Sequence, residues 1–265
     1  MSSDRAATPF CALLVSLTLL VLQPVAAQEG LRLTLGTSMD LGIQRDQGVS
    51  PRIYRNLGIE PRWAFEWQRA RWRGNATLSI EGSLVGRDLL PLEDLDLDGY
   101  ALTAMFHAGG ERQVYTQGTW QLWIGAGIED CWNITYNSRF ENASVGSSNL
   151  IAIPLRLRAE WNWRRWLFGG LFDLAPLGFW RRPGFAYVDN YTTGDSEIET
   201  FGDEYRWNAT ALPHLHSELS ARYILPSGNA FGLSYTWHYL STHHSGAWRY
   251  DAATHALQLM VVITL

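Results

Sequence analysis

The sequence has no lysine and only two cysteines among its 265 residues. Its 21 basic residues are therefore all arginine, and with 26 acidic residues the formal net charge is -5. This balance excludes the strongly basic surface that a nucleic-acid-binding domain needs. Cys131 is the one cysteine outside the first 27 residues, so an intramolecular disulfide framework is excluded as well. Beyond those residues no apolar run has the length of a transmembrane helix, about 20 residues.

The first 27 residues have the pattern of a secretory signal peptide. Arg5 precedes an apolar run, Cys11 to Leu22, and the small residues Val25, Ala26 and Ala27 follow it. The run is too short to cross a bilayer as a helix. We therefore predict cleavage near Ala27 and a single domain over residues 28–265; the alternative is an N-terminal anchor that is retained.

The last twelve residues, Thr254 to Leu265, alternate strictly between two faces. A period of two over this length predicts a β-strand. A strand at the end of the chain needs a partner for its backbone groups. We predict that it pairs with the first strand, Gly30 to Ile43, and closes a barrel. Its apolar face carries Leu257, Leu259, Val261, Ile263 and Leu265.

Similar alternation along the chain predicts about ten strands, each near the length that a tilted membrane-spanning strand requires. The connections after the second, sixth and eighth strands are short, the one after the fourth begins at Gly109-Gly110, and the others are longer. Short turns on one side and long loops on the other are typical of outer-membrane barrels. The predicted strands are Gly30–Ile43, Gly58–Arg69, Asn75–Gly86, Gly99–Ala108, Gly118–Asp130, Ile151–Asn162, Trp166–Leu177, His214–Leu225, Ala230–Leu240 and Thr254–Leu265.

Alternation alone does not decide which face points inward, because a secreted soluble barrel has the same period with its apolar residues inside. The polar face carries bulky ions of both signs, which can pair across a narrow lumen. Aromatic residues near the strand ends suggest two interfacial girdles. Both features favour the membrane arrangement. The predicted lumenal charge network is Arg32, Glu60, Arg62, Glu66, Glu81, Glu129, Arg156, Arg158, Glu160, Glu218 and Arg222.

With its signal region and its closing strand, the chain resembles a small bacterial outer-membrane β-barrel protein. The resemblance implies an all-β, closed antiparallel transmembrane barrel of about ten strands, with short periplasmic turns and long outer loops. It also implies contact with outer-membrane lipids and recognition of the last strand by the barrel-assembly machinery. In that class the last residue is usually aromatic, whereas this chain ends in Leu265.

Two enzyme families of this class have faint counterparts in the sequence. Omptin proteases place acids on the second outer loop and an Asp-x-His pair on the fourth, where this chain has a His-x-His. Lipid A deacylases use a His-x-Ser, whereas here His238 precedes Ser241 by three residues. Together these counterparts form one candidate site at the outer rim of the barrel. Its residues are Asp94, Asp96, Asp98, His214, His216, His238, His243 and His244.

Three functions stay open from the sequence. The first is a structural or binding role through the outer loops, with the aromatic loop Gly178 to Pro213 either as the contact for an envelope protein or as a packed lid that only covers the barrel mouth. The second is an outer-membrane hydrolase, and the third is a small-solute channel. An ion-paired lumen argues against general porin activity. We predict no cofactor and no bound metal.

Overall fold

A computed structural model describes residues 30–46, 53–86, 97–137, 145–181, 207–243 and 249–265. The predicted signal peptide, residues 1–27, and its cleavage position lie outside these ranges. The strands are β1 (Arg32–Asp46), β2 (Ile53–Arg69), β3 (Trp72–Gly86), β4 (Leu97–Gln117), β5 (Trp120–Asn137), β6 (Val145–Ala152), β7 (Leu155–Trp163), β8 (Trp166–Arg181), β9 (Trp207–Ile224), β10 (Ala230–His243) and β11 (Arg249–Thr264).

The eleven strands form one closed antiparallel sheet. Strand β1 pairs with β2 on one side and with β11 on the other, in a register that joins Leu33 to Ile263 and Asp40 to Ala256. Strands β6 and β7 both pair with β5 and with β8, so they occupy a single place in the wall. The wall therefore has ten positions. The predicted ten-stranded barrel and its closure between the first and last strands are confirmed.

The start of β1 and the end of β11 lie on the side of the short turns, because Arg32 pairs with Thr264 and with Glu66. Three of these turns have two residues, and each begins in the left-handed region, at Ala70 (φ 51°), Gly118 (φ 58°) and Arg164 (φ 55°). Positive φ fits two-residue hairpins because it matches the twist of the flanking strands. The prediction of a turn at Gly109-Gly110 is wrong, because both glycines lie within β4, which continues to its hairpin turn at Gly118.

The predicted sixth strand is interrupted, because Ile153 and Pro154 separate β6 from β7. Proline has no N–H to donate to a neighbouring strand. The wall stays connected there, since Pro154 O accepts from Gly127 N at 3.0 Å and Ile153 N donates to Leu177 O at 3.3 Å. Next to this interruption, the register of β8 against β9 shifts around Pro176. Two adjacent positions in the wall are thus irregular at the same height.

The outer surface is apolar and the interior is polar. Along the closing strands, Met39 is 58% exposed and Leu259 is 65% exposed, whereas Asp40 is 2% exposed and Gln258 is 4% exposed. This inside-out distribution confirms the predicted orientation of the two faces. Among the residues that the structure describes, no helix has the length and apolar character that a membrane crossing requires.

Aromatic rings form a belt on the outer surface near the short turns. Its successive ring centroids are 5.2 to 6.0 Å apart across five wall positions. Amphipathic aromatic rings collect at membrane–water interfaces. The belt therefore marks where an interface would lie. Its members are Trp120, Trp161, Phe168, Trp166, Tyr223 and Phe231.

Candidate functional site in the lumen

The lumen holds a cavity of ≈ 160 Å³. Nearly all the charged residues predicted for the lumen line it; Glu160 instead pairs with Arg73. The cavity is smaller than most ligand pockets, which hold about 300–1,000 Å³. Side chains therefore fill most of this barrel. The predicted residues along the cavity are Arg32, Glu60, Arg62, Glu66, Glu81, Glu129, Arg156, Arg158, Glu218 and Arg222.

Arg73 crosses the lumen from β3 to Glu160 on β7. Its two terminal nitrogens donate to the two carboxylate oxygens, each at 2.8 Å. The guanidinium carbon also lies 4.2 Å from the ring centroid of Trp123, a lumenal side chain with no exposed surface. A bidentate pair of this kind is the strongest form of charged hydrogen bond. Sequence analysis missed Arg73 because it placed residues 70–74 in a turn.

Glu111 on β4 joins two further arginines. Its oxygens accept from Arg158 at 2.8 and 3.0 Å, from Arg156 at 3.5 Å and from Asn75 at 3.0 Å. Gly125 lies between Glu111 and Arg156 in the register, and a Cβ there would come within 2.8 Å of Glu111 Cγ. Glycine at this position is thus required for the contact. The prediction had placed Glu111 in a loop.

Asp173 on β8 completes this set of ion pairs and connects it to the histidines. It accepts from Arg156 Nε at 2.7 Å and Nη2 at 2.5 Å, and its Oδ2 lies 3.3 Å from His216 Nδ1. We call Arg73, Glu111, Arg156, Arg158, Glu160 and Asp173 the arginine network. Asp173 stands between the apolar residues Phe172 and Leu174, and this alternation is the signal in the sequence that indicates a lumenal position for it.

A second group lies beside this network. His214 Nε2 on β9 is 2.5 Å from His238 Nε2 on β10 and 3.4 Å from Glu129 Oε1 on β5. His214 is 2% exposed and Glu129 is 4% exposed. We call Glu129, His214 and His238 the histidine cluster. Its three ligand atoms lie within 4.8 Å of one another.

Of the histidines predicted for the outer rim, His214, His216 and His238 lie inside the lumen. The predicted start of a strand at His214 is wrong, because β9 begins at Trp207 and His214 is within it. His216 and His238 line the cavity. Of the other candidates, Asp94, Asp96 and His244 lie outside the described residues, and Asp98 and His243 are described only by their backbones, on β4 and β10.

The described residues do not assemble a serine nucleophile with a histidine base near the end of β10. Ser241 Oγ donates to Asp251 Oδ1 at 2.6 Å, while His238 contacts His214. Nucleophilic catalysis needs the hydroxyl and the imidazole within hydrogen-bond reach. What the cluster does offer is two imidazoles and one carboxylate at the side of a small cavity.

A closed antiparallel wall, an apolar exterior and a charged interior together define a transmembrane β-barrel. Neither a protein-family model nor a curated protein matches the chain.

Solved structures resemble the chain in outline. The translocator domain of autotransporter NalP from Neisseria meningitidis is 12% identical, with 97% of each chain covered and a TM-score of 0.44. Neisserial surface protein A is 9% identical over 91% of this chain and 100% of that one, with a TM-score of 0.43. The P. putida toluene transporter TodX is 9% identical over 89% of this chain and 90% of that one, with a TM-score of 0.37.

Proposed function

We propose that this chain is an integral barrel of the bacterial outer membrane, closed to general diffusion, that acts as a structural or binding protein through its outer loops. The observation that supports closure most directly is the pair Arg73–Glu160, which crosses the lumen in bidentate geometry. Arg62 and Glu218 join β2 to β9 through a single contact of 3.1 Å between Nη1 and Oε2. Ion pairs across a narrow lumen act as a plug and not as a selective ring.

The proposed partners follow from the surfaces. The apolar exterior would contact outer-membrane lipids, and β11 would be read by the barrel-assembly machinery. An envelope protein would bind the outer loops, above all the aromatic loop. Residues 182–206 of that loop lie outside the described residues. A hydrolase role lacks the support of a serine nucleophile paired with a histidine base among the described side chains near the end of β10.

Conductance in planar bilayers tests closure. We expect the purified, membrane-inserted protein to produce no porin-like conductance steps, because the arginine network blocks the lumen. Reproducible steps that disappear when Arg156 and Arg158 are replaced by alanine would instead establish the small-solute channel and contradict the proposal.

Replacement of an outward residue tests the membrane orientation independently. Leu257 lies in the middle of β11 and is 53% exposed. We expect Leu257→Arg to lower the free energy of unfolding in lipid vesicles by about 2–4 kcal/mol, because it places a charge at the midplane. Ile53→Arg, at the loop end of β2, is the matched control, with an expected loss of about 0–1 kcal/mol. Equal losses at the two positions would contradict a lipid-facing exterior.

A further inference from the structure

We propose that Glu129, His214 and His238 bind one divalent transition-metal ion inside the barrel, with Zn²⁺ as the best fit. This site goes beyond the proposed function and does not depend on what the outer loops bind. It also departs from the sequence prediction, which assigned no metal. The three residues come from β5, β9 and β10, so only the folded barrel brings them together.

The first argument is the spacing of the ligand atoms. Two imidazoles and a carboxylate each offer one atom, all within 4.8 Å of one another. A tetrahedral zinc ion with bonds of about 2.0–2.1 Å places its ligand atoms about 3.3 Å apart. The distance from His214 Nε2 to Glu129 Oε1 is already 3.4 Å, and the two histidine nitrogens, now 2.5 Å apart, need to separate by less than about 1 Å.

The second argument is that a ligand atom of the cluster has no hydrogen-bond partner. Glu129 Oε1 is buried and makes no hydrogen bond with any described residue. A buried carboxylate oxygen left in this state is destabilising. Arg156, a nearby cation, is already engaged by Asp173 and Glu111. A metal ion would supply the missing positive charge.

The third argument is the construction of the wall between Glu129 and His214. The register neighbour of Glu129 on β6 is Ala152, and that of His214 on β8 is Ala175. Both alanines are at most 1% exposed and pack with Leu150 in a small apolar cluster. Small side chains at these two places leave room for the glutamate and the histidine to meet. The apolar cluster also keeps the group dry on the side of the long loops.

The ligand set decides the class of metal. Two nitrogens and one carboxylate oxygen suit Zn²⁺ and its neighbours in the first transition row, whereas Mg²⁺ and Ca²⁺ favour all-oxygen sites. Three protein ligands leave a fourth position open. Glu129 and His238 line the cavity, so that position would face it and hold water or a small ligand. Two further imidazoles line the cavity near the cluster: His107, the register partner of Glu129 on β4, and His216, whose ring centroid is 6.3 Å from that of His238.

The test is metal titration of the full, untagged barrel, refolded in detergent and stripped with a chelator. We expect one Zn²⁺ per chain by isothermal calorimetry. We also expect one equivalent of Co²⁺ to give the strong visible absorption of four-coordinate cobalt. His214→Ala, His238→Ala and Glu129→Gln should each weaken binding by about 100-fold or more, since even the loss of an outer-shell partner costs about 10–100-fold. Retention of folding is checked by the heat-dependent shift of barrel mobility in SDS gels.

Two controls make the outcome decisive. His255→Ala removes an exposed histidine that bonds Tyr235 on the outer surface, and binding should not change. A double variant, His243→Ala/His244→Ala, tests the outer rim in the same way. Binding that is lost in the rim variant but kept in the three cluster variants would overturn the proposal. So would a folded wild-type barrel that takes up no metal, because the two histidines would then be only a hydrogen-bonded pair.

Discussion

The arginine network and the histidine cluster share one lumen and differ in how their buried polar atoms are satisfied. In the network, each carboxylate meets a guanidinium in bidentate geometry, as Asp173 does with Arg156 at 2.7 and 2.5 Å. In the cluster, Glu129 Oε1 lies 3.4 Å from His214 Nε2, and this oxygen makes no hydrogen bond with any described residue. The network has the geometry of a structural element, whereas the cluster has unused bonding capacity.

This difference separates the buried charges that stabilise the barrel from those that do not. Removing one member of a satisfied ion pair leaves an uncompensated charge, so the loss of stability is large. Removing a charge that has no partner takes away a penalty, so the loss is small or negative. Substitutions in the arginine network should therefore lower the stability of the barrel more than substitutions in the histidine cluster, although both groups are buried.

The largest expected effect is in the arginine network. Glu111→Gln keeps the size of the side chain but leaves Arg158 and Arg156 without their shared carboxylate. We expect the free energy of unfolding in lipid vesicles, measured by urea denaturation, to fall by about 3–5 kcal/mol. Arg32→Gln is the matched control, because Arg32 is 38% exposed and 3.5 Å from Glu66; its expected loss is about 0–1 kcal/mol. Similar losses in the two variants would remove the distinction between structural and peripheral charges.

A smaller effect is expected where the wall makes room for the histidine cluster. Ala175→Leu adds three carbons beside His214, and overpacking of this kind costs about 1–3 kcal/mol. The same variant should lose Zn²⁺ binding although all three ligands remain. Ala126→Leu, on the exposed face of β5, should change stability by no more than about 0.5 kcal/mol and leave binding intact. Zinc binding that survives in Ala175→Leu would mean that the gap is not needed.

Much of the wall could be predicted from alternation alone. The strict period of Thr254 to Leu265 predicted β11 and its pairing with β1, since a chain-terminal strand needs a partner and lipid selects one apolar face. The Gly109-Gly110 pair was misread because glycine commonly marks turns. In the barrel, glycines lie near bulky lumenal groups: a Cβ on Gly127, the register partner of Gly109, would be 2.7 Å from His107 Nε2.

The histidine cluster could be predicted only in part. Alternation placed His238 and Glu129 on the polar faces of their strands, which put both in the lumen. It could not bring Glu129 to His214, because their strands are separated in the wall by two positions, both irregular near Pro154 and Pro176. Such a register shift depends on three-dimensional packing and leaves no period in the sequence.

A still smaller change in stability is expected when Glu129 itself is replaced. Glu129→Met replaces a buried carboxylate by an apolar side chain of similar length. In the chelator-treated protein we expect the free energy of unfolding to stay within about 1 kcal/mol of wild type or to rise, because an unmet buried charge is removed. Added Zn²⁺ should stabilise the wild-type protein and not the variant, since only a ligand that binds the folded state shifts unfolding. A loss as large as that of Glu111→Gln would place Glu129 among the structural charges and end the contrast between the two groups.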